Sequence, residues 1–284
     1  MKIYQEKHYS GERPMFATAD AKFINTTFGI GESPLKESKN LILDGVIFQY
    51  KYPLWYTDNV SVKNTILEKM ARSGIWYAKN LRMQDCTLQA PKLFRRCQKI
   101  TLNNVDFADA QETFWNCHEV KLTNVQATGD YFGMNSSKLK ADHLKIVGNY
   151  AFDGASDVEI HDSVLLSKDA FWNCQNVTIY DSVINGEYLG WNTKNLTLIN
   201  CTISGYQDLC YIDHLVLHNC RLLQTDLSFE YCSDIDAEVT TTISSVKNPL
   251  SGQIKAPKIN LLILDKTKVD PTATEIIAKI GERK

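Results

Sequence analysis

The chain repeats a pattern in which a polar residue is followed by an apolar residue, a residue of any kind and a second apolar residue. Clear examples are Asn40-Leu41-Ile42-Leu43, Asn176-Val177-Thr178-Ile179 and Asn195-Leu196-Thr197-Leu198. Apolar side chains with a period of two predict a strand with one buried face. Because successive patterns stay 19 to 21 residues apart along most of the chain, they indicate a structural repeat rather than a chance alternation.

The first polar residue of each pattern is taken as the reference position of a predicted coil. The references are Asp20, Asn40, Asn59, Asn80, Lys99, Glu119, Lys138, Asp157, Asn176, Asn195, His214 and Asp234. A small polar residue such as Asn200 follows the first strand and predicts a turn, since Asn and Asp tolerate the left-handed backbone. A frequent glycine such as Gly205 predicts a second turn, and Asn192 marks a third. Each coil is therefore predicted to hold three short strands and three turns.

A coil of this length excludes the helical and leucine-rich repeats, because three strands leave no room for a helix. The predicted fold is all-β: a right-handed parallel β-helix, a solenoid of about 12 coils of about 19 residues each, with a short helix in its C-terminal cap. Asp270 as N-cap and Pro271 at the first helical position favour that helix. Ile276, Ile277 and Ile280 would then lie on one side of it.

The repeat frame also predicts the domain organisation. We expect a single β-helix domain over residues 1–284. Residues 1–19 would form an N-terminal cap and a first partial coil, 20–236 the regular coils, and 237–284 irregular last coils and the cap helix. An open β-helix end is an exposed sheet edge, so both ends are expected to be covered.

Composition and charge exclude several kinds of partner. The net charge of −2 does not favour nucleic acid or an anionic membrane. No apolar run is long enough to span a bilayer, and residues 1–8 lack the apolar region of a signal peptide, so we expect a cytoplasmic protein. No phosphate loop or zinc-protease motif occurs, so no cofactor and no metal are predicted.

The eight cysteines form no C-x-x-C pair and are read as buried, reduced thiols that pack as small hydrophobic residues. Cys97 and Cys117 fall on neighbouring coils, as do Cys201 and Cys220, and each pair would be close enough for a disulfide. A redox staple or a metal site is the alternative, although a flat column does not converge on four tetrahedral ligand positions.

All five tryptophans fall four residues before a reference position, in a column that also holds charged residues. Unpaired charge is costly inside a protein, so this column is expected on the outside or along a groove wall. Flat aromatic faces suit pyranose rings, and charged side chains can bind hydroxyls or uronate carboxylates. The candidate ligand-binding residues are Lys36, Trp55, Trp76, Arg96, Trp115, Trp172, Trp191 and Glu230.

Two interpretations of this column stay open. The first is a β-helix that binds or processes an oligosaccharide or polysaccharide; if it is an enzyme, Asp153 is the candidate acid or base and Arg95 the charge stabiliser. The second is a non-enzymatic scaffold whose aromatic ridge docks a partner or a second copy of the chain, giving a homo-oligomer. A purely structural ridge that stiffens the coils is the remaining alternative.

Four segments at the same place in successive coils carry a resemblance. They are Gly11-Glu12-Arg13-Pro14-Met15-Phe16, Gly31-Glu32-Ser33-Pro34-Leu35-Lys36, Tyr52-Pro53-Leu54-Trp55-Tyr56 and Gly74-Ile75-Trp76-Tyr77. With them, the whole chain resembles a family of uncharacterised bacterial proteins with the pectate-lyase-like right-handed β-helix fold. The resemblance implies the fold and no activity, since one fold hosts many functions. The Asp-Asp pair, Gly-His-Gly and Arg-x-Lys of polygalacturonases are not evident here.

Overall fold

The computed structural model describes all residues from 1 to 284 and consists of strands and turns. The chain folds as an all-β, right-handed parallel β-solenoid of about 15 turns, with equivalent positions about 19 residues apart. No helix long and apolar enough to cross a membrane is present. Contacts between Cα atoms divide the chain into two compact units, residues 1–145 and 146–284.

The first unit stacks its strands coil upon coil. Its strands are β1 (Lys2–Gln5), β2 (His8–Tyr9), β3 (Ala19–Ile24), β4 (Thr27–Phe28), β5 (Lys39–Asp44), β6 (Ile47–Phe48), β7 (Asp58–Lys63), β8 (Ile66–Leu67), β9 (Lys79–Leu88), β10 (Gln98–Phe107), β11 (His118–Thr128) and β12 (Ser137–Val147). Parallel pairing aligns Val60 with Leu81, Leu81 with Ile100, and Ile100 with Val120. These four side chains are almost fully buried, so like residues of successive coils form one column of the core.

The second unit follows the same construction. Its strands are β13 (Ser156–His161), β14 (Val164–Leu166), β15 (Gln175–Tyr180), β16 (Val183–Asn185), β17 (Lys194–Ile199), β18 (Thr202–Tyr206), β19 (Asp213–Asp226), β20 (Ser233–Val239), β21 (Ile243–Lys247), β22 (Gly252–Ile263) and β23 (Thr274–Arg283). The register aligns Val158, Val177, Leu196 and Leu215 in one buried column. The alternation seen in the sequence thus places every second side chain of these strands in the core.

The turn after the first strand is held by a ladder of polar side chains. Asp181, Asn200 and Asn219 each adopt a left-handed backbone, with φ of 49°, 54° and 51°. The Asn200 amide donates to the Asp181 carboxylate, and the Asn219 amide donates to Asn200, both at 2.9 Å. Each rung fixes the next turn, and Asn and Asp suit this position because both tolerate the left-handed backbone.

Replacing Asn200 with Ala is expected to lower the free energy of unfolding by about 2 kcal/mol, because two hydrogen bonds are lost and Ala is strained in the left-handed region. Asn200→Gly removes the same hydrogen bonds but accepts positive φ, so we expect about half of that loss. Thermal or urea unfolding of both variants measures the two contributions. Equal losses would contradict a backbone contribution at this turn.

The third segment of each coil differs from the predicted third strand. In the coil before β10, Lys92, Phe94 and Arg96 have φ of 59°, 55° and 53°, so every second residue leaves the extended region. The segment is nevertheless tied to the next coil: the Lys92 amide donates to Gln111 O at 2.8 Å and the Arg96 amide to Trp115 O at 2.9 Å. The third segment of this coil is therefore a run of stacked turns joined to its neighbours by isolated bridges, and in β9 to β12 the first two predicted strands are continuous as one long strand.

The ends of the chain correct two further predictions. There are about 15 turns rather than 12, since residues 1–19 already form a full rung with β1 and β2, and paired strands continue beyond 236. The prediction of a C-terminal cap helix is wrong: residues 274–283 form β23, which pairs in parallel with β22. Asp270 accepts hydrogen bonds from the Thr272 amide and hydroxyl, at 2.9 and 2.7 Å, so the residue that resembled a helix cap closes a turn.

Candidate functional site

The tryptophan column of the first unit lies on the third segments and is half-buried. Each indole nitrogen donates to a backbone carbonyl of the following coil: Trp76 to Lys92 O at 2.9 Å and Trp115 to Tyr131 O at 2.7 Å, with Trp55 bonded to Ser73 O in the same way. Trp55 and Trp76 stack with centroids 5.0 Å apart and planes 9° apart. Their facing surfaces are therefore occupied by each other.

Arg95 completes this column between two aromatic rings. Its guanidinium lies 4.7 Å from the Trp76 centroid and 4.5 Å from that of Trp115, so both of its faces are covered. Nη2 also contacts the Glu112 carboxylate at 3.2 Å, and the same carboxylate binds Lys92 at 3.2 Å. The charge proposed for catalysis is thus already stacked and paired.

The other two predicted cations of this unit also lie over rings. Lys36 Nζ is 5.9 Å from the Trp55 centroid and 5.6 Å from that of Tyr56. Arg96 lies 5.9 Å from the Tyr77 centroid, and Tyr56 and Tyr77 stack at 4.6 Å. The structure therefore brings together the predicted residues of the first unit as one continuous ladder of rings and cations.

In the second unit, Trp172 lies 6.1 Å from Trp191, and Trp191 stacks on Tyr211 at 4.2 Å. The Trp172 indole donates to Tyr188 O at 3.1 Å. Asp153, the candidate acid or base, accepts a hydrogen bond from the Asn173 amide at 2.9 Å. Asn173 in turn accepts one from Asn192, so Asp153 begins a turn ladder of the kind described above.

Glu230 corrects the expectation that the whole column is exposed. Its side chain is buried, with 5% of the residue accessible. Lys247 Nζ lies 2.7 Å from one carboxylate oxygen, and the Gln207 amide donates to the other. The negative charge is tolerated inside because it is paired and hydrogen-bonded, a possibility that the argument from charge alone left out.

A second surface of the first unit has the geometry of a binding site. The outward side chains of β9, β10, β11 and β12 enclose a cleft of about 400 Å³, named here the basic cleft. Its charged residues are Arg82, Lys99, Glu119, Lys121, Lys138 and Lys140. Asn80 and Thr101 add polar groups, and the buried residues Ile100 and Val120 form the floor.

The cations of the basic cleft are largely uncompensated. Arg82, Lys99, Lys121 and Lys138 are exposed and take part in no ion pair and no side-chain hydrogen bond. The single acid, Glu119, is contacted by His118 at 3.3 Å. Like charges held close together on a sheet destabilise it, so an unpaired cluster on rigid strands is a feature that an anionic ligand would relieve.

Sequence reasoning missed the basic cleft although the repeat frame contained it. Lys99 and Lys138 occupy reference positions, and Arg82, Lys121 and Lys140 lie two residues after reference positions of the same four coils. Between the reference lysines lies Glu119, and Thr101 lies between Arg82 and Lys121 in the paired register. Counting charge at these two positions over the four neighbouring coils, in place of the net charge of the whole chain, would have shown it.

The cysteines behave as packed thiols. All eight are free and buried. Most of them donate to a backbone carbonyl, as Cys97 does to Ile75 O at 3.1 Å and Cys117 to Phe94 O at 3.2 Å. Burial raises the pKa of the Cys86 thiol to about 11, which disfavours the reactive thiolate. These features agree with the interpretation of the cysteines as small hydrophobic residues.

A buried carboxyl in the second unit lies away from any surface site. Asp208 is fully buried, and the Ser228 hydroxyl donates to its Oδ1 at 2.8 Å. Its Oδ2 has no hydrogen-bond partner. Burial raises the pKa of Asp208 to about 7, so at neutral pH the group is close to half protonated. With no access for a ligand, its effect is on stability.

The fold and the basic cleft define the protein as a parallel β-solenoid with a cation-lined cleft on one strand face. Within that class, the chain belongs to the protein family of unknown function DUF3737, whose model matches residues 2–277. This confirms the resemblance to an uncharacterised β-helix family. A search of curated protein sequences gave no match.

Solved structures with a similar fold come from several sources. The surface adhesin PfbA of Streptococcus pneumoniae is 14% identical over 77% of this chain and 71% of its own, with a TM-score of 0.35. The tailspike protein of E. coli bacteriophage HK620, solved with a hexasaccharide, is 7% identical over 94% and 67%, with a TM-score of 0.39. HetL, a pentapeptide repeat protein of Nostoc sp. strain PCC 7120, is 7% identical over 77% and 92%, with a TM-score of 0.31. Likeness of this degree assigns no ligand or activity to this chain.

Proposed function

We propose that the protein binds an acidic oligosaccharide or polysaccharide in the basic cleft. The observation that carries this proposal is the group of four exposed cations without ion-pair partners, Arg82, Lys99, Lys121 and Lys138, around one cleft. They stand on paired strands, which hold them in place without a ligand and so reduce the entropy lost on binding. Binding alone is proposed, because Arg95 and Asp153 already have structural partners.

The spacing of the cations suits a chain of acidic sugars. Strands of neighbouring coils lie about 4.8 Å apart, so Lys99 and Lys138, two coils apart, present charges about 10 Å from each other along the coil axis. A chain of linked uronates presents carboxylates at comparable intervals. Asn80 and Thr101 supply hydrogen-bond donors and acceptors for the hydroxyl groups of the sugar.

The aromatic column has a different part in this proposal. Stacking of a sugar would require open ring faces, whereas Trp55 and Trp76 face each other and Arg95 covers the second face of Trp76 and one face of Trp115. The column supports the coils from which the basic cleft is built. Its use as a docking ridge for a partner or a second copy stays a prediction, as does a cytoplasmic location.

The double variant Lys99→Glu/Lys138→Glu is expected to weaken binding of an oligogalacturonate about thirtyfold, since two favourable charge contacts become repulsive. Isothermal titration calorimetry at fixed ionic strength measures the change. The matched control is Lys39→Glu/Lys194→Glu, which alters net charge equally at exposed strand positions outside the cleft and should bind like the parent protein.

Two further titrations decide the chemistry of the ligand. A neutral maltooligosaccharide of the same length should not bind, because its hydroxyls alone leave the cations unpaired. A single-stranded oligonucleotide tests the nucleic-acid alternative, and tighter binding of it than of the oligogalacturonate would overturn the proposal. If none of the three ligands binds, the proposal fails and the scaffold interpretation gains.

A further inference from the structure

The one acidic side chain of the basic cleft is held by a histidine. Glu119 Oε1 lies 3.3 Å from His118 Nε2. The other ring nitrogen, Nδ1, lies 2.8 Å from the Ser137 hydroxyl. Both side chains of the pair are about two-fifths exposed, 39% for His118 and 38% for Glu119, so water and protons reach them freely.

The groups around His118 come from three strands. On its own strand β11 lie Glu119 and Lys121, on β10 lie Gln98 and Lys99, and on β12 lie Ser137 and Lys138. Gln98 is the direct partner of His118 in the parallel register. Glu119 is thus the only anion that lines the cleft, and its only ion-pair partner is an imidazole.

We propose that the His118–Glu119 pair is a proton-operated control of the basic cleft, which binds its acidic ligand more tightly at acidic pH than at alkaline pH. The inference rests on the proposed function of the cleft. It assigns to His118 a regulatory role at the rim rather than a contact with the ligand.

The physical basis is a change of one charge beside the ligand. Histidine is the side chain that gains a proton between about pH 5 and 8. With His118 neutral, the Glu119 carboxylate cancels part of the positive charge of the cleft and repels an acidic sugar. With His118 protonated, the pair is neutral overall, and the cleft and its rim carry one more positive charge.

Both ring nitrogens of His118 have polar neighbours, Ser137 and Glu119. An imidazolium donates from both nitrogens, and here both nitrogens face oxygen atoms that can accept, the Ser137 hydroxyl and the Glu119 carboxylate. A ligand that draws protons to this pair is bound more tightly as protons are added, because the two equilibria are linked. The direction follows: affinity rises as pH falls.

A heparin-derived hexasaccharide is the probe, because its sulfates stay ionised over the whole range. Titration calorimetry at fixed ionic strength between about pH 5.5 and pH 8 should show three- to tenfold tighter binding by the parent protein at the acidic end. Glu119→Gln should bind more tightly than the parent protein at pH 8, because the repelling carboxylate is gone, and its affinity should still rise towards pH 5.5 because His118 is kept. His118→Gln should give a flat profile at the weaker level.

The control is His218→Gln, which breaks a similar exposed pair, His218 with Glu238 at 3.3 Å, outside the cleft. It should keep the pH profile of the parent protein. A parent protein that binds equally at all pH values, or a His118→Gln variant that keeps the full slope, would overturn the control mechanism while leaving the binding proposal intact. Absence of binding at every pH would instead remove the proposed function.

Discussion

Replacing Asp208 with Asn is expected to stabilise the protein at about pH 8 by about 4 kcal/mol, an upper limit set by the shift of the Asp208 pKa from 3.8 to about 7. The folded state holds a proton on this buried carboxyl that the unfolded chain releases. Stability from this group is therefore complete below the unfolded pKa and is lost as pH rises towards 7. Asn resembles the protonated acid in size and charge, and it removes the loss.

The pH profile distinguishes this cause from ordinary repacking. The gain from Asp208→Asn should shrink to below about 2 kcal/mol at about pH 5, where the folded carboxyl is protonated and only the unfolded chain ionises. Thermal unfolding at both pH values measures the difference in free energy of unfolding between the variant and the parent protein. The other carboxyl groups are the same in both proteins, so they do not contribute to this difference. Ser228 still donates to Asn Oδ1, so that hydrogen bond is kept.

A variant that is less stable at both pH values would contradict the prediction, because the buried Asn amide at the unpaired Oδ2 position would then cost more than the loss of the charge gains. Ser228→Ala provides the companion measurement. It removes the hydroxyl that donates to Oδ1, so it should destabilise the parent protein. The effect should be greatest at alkaline pH, where the carboxylate has most need of a donor.

The repeat was predictable because its physical cause is local and periodic. Columns such as Val158, Val177, Leu196 and Leu215 are buried by the same parallel pairing in every coil, so each repeat confirms the register of the last. At the C-terminal end of the chain, no further repeat is present to confirm the register. Asp270 and Pro271 favour a helix locally, but the open edge of β22 offers backbone hydrogen bonds to residues 274–283, and pairing prevailed over the cap signal.

The third segment and the aromatic column show a different limit. The place of a residue in the repeat predicts which residues are its neighbours in adjacent coils. It correctly predicted that Trp76, Arg95 and Trp115 lie together. It does not state which way a ring faces, because that depends on the alternating left-handed backbone of the segment. The charged residues Arg95 and Glu230 were predicted to be exposed because unpaired charge is costly inside a protein. The structure shows that both have partners instead.

Arg95→Ala is expected to lower the free energy of unfolding by about 3 kcal/mol, since the guanidinium loses two aromatic faces and an ion pair at a site that is three-quarters buried. Arg95→Lys keeps the charge but cannot stack a planar group between Trp76 and Trp115, so an intermediate loss is expected. Thermal unfolding of the two variants gives the comparison.

Arg82→Ala is the matched control because Arg82 is exposed in the basic cleft and has no ion-pair partner. It should change stability by less than about 0.5 kcal/mol but weaken oligogalacturonate binding. Arg95→Ala should show the reverse, reduced stability with unchanged affinity in the folded protein. If Arg95→Ala were as stable as the parent protein and lost the ligand, the aromatic column would be the binding site and the basic cleft would not.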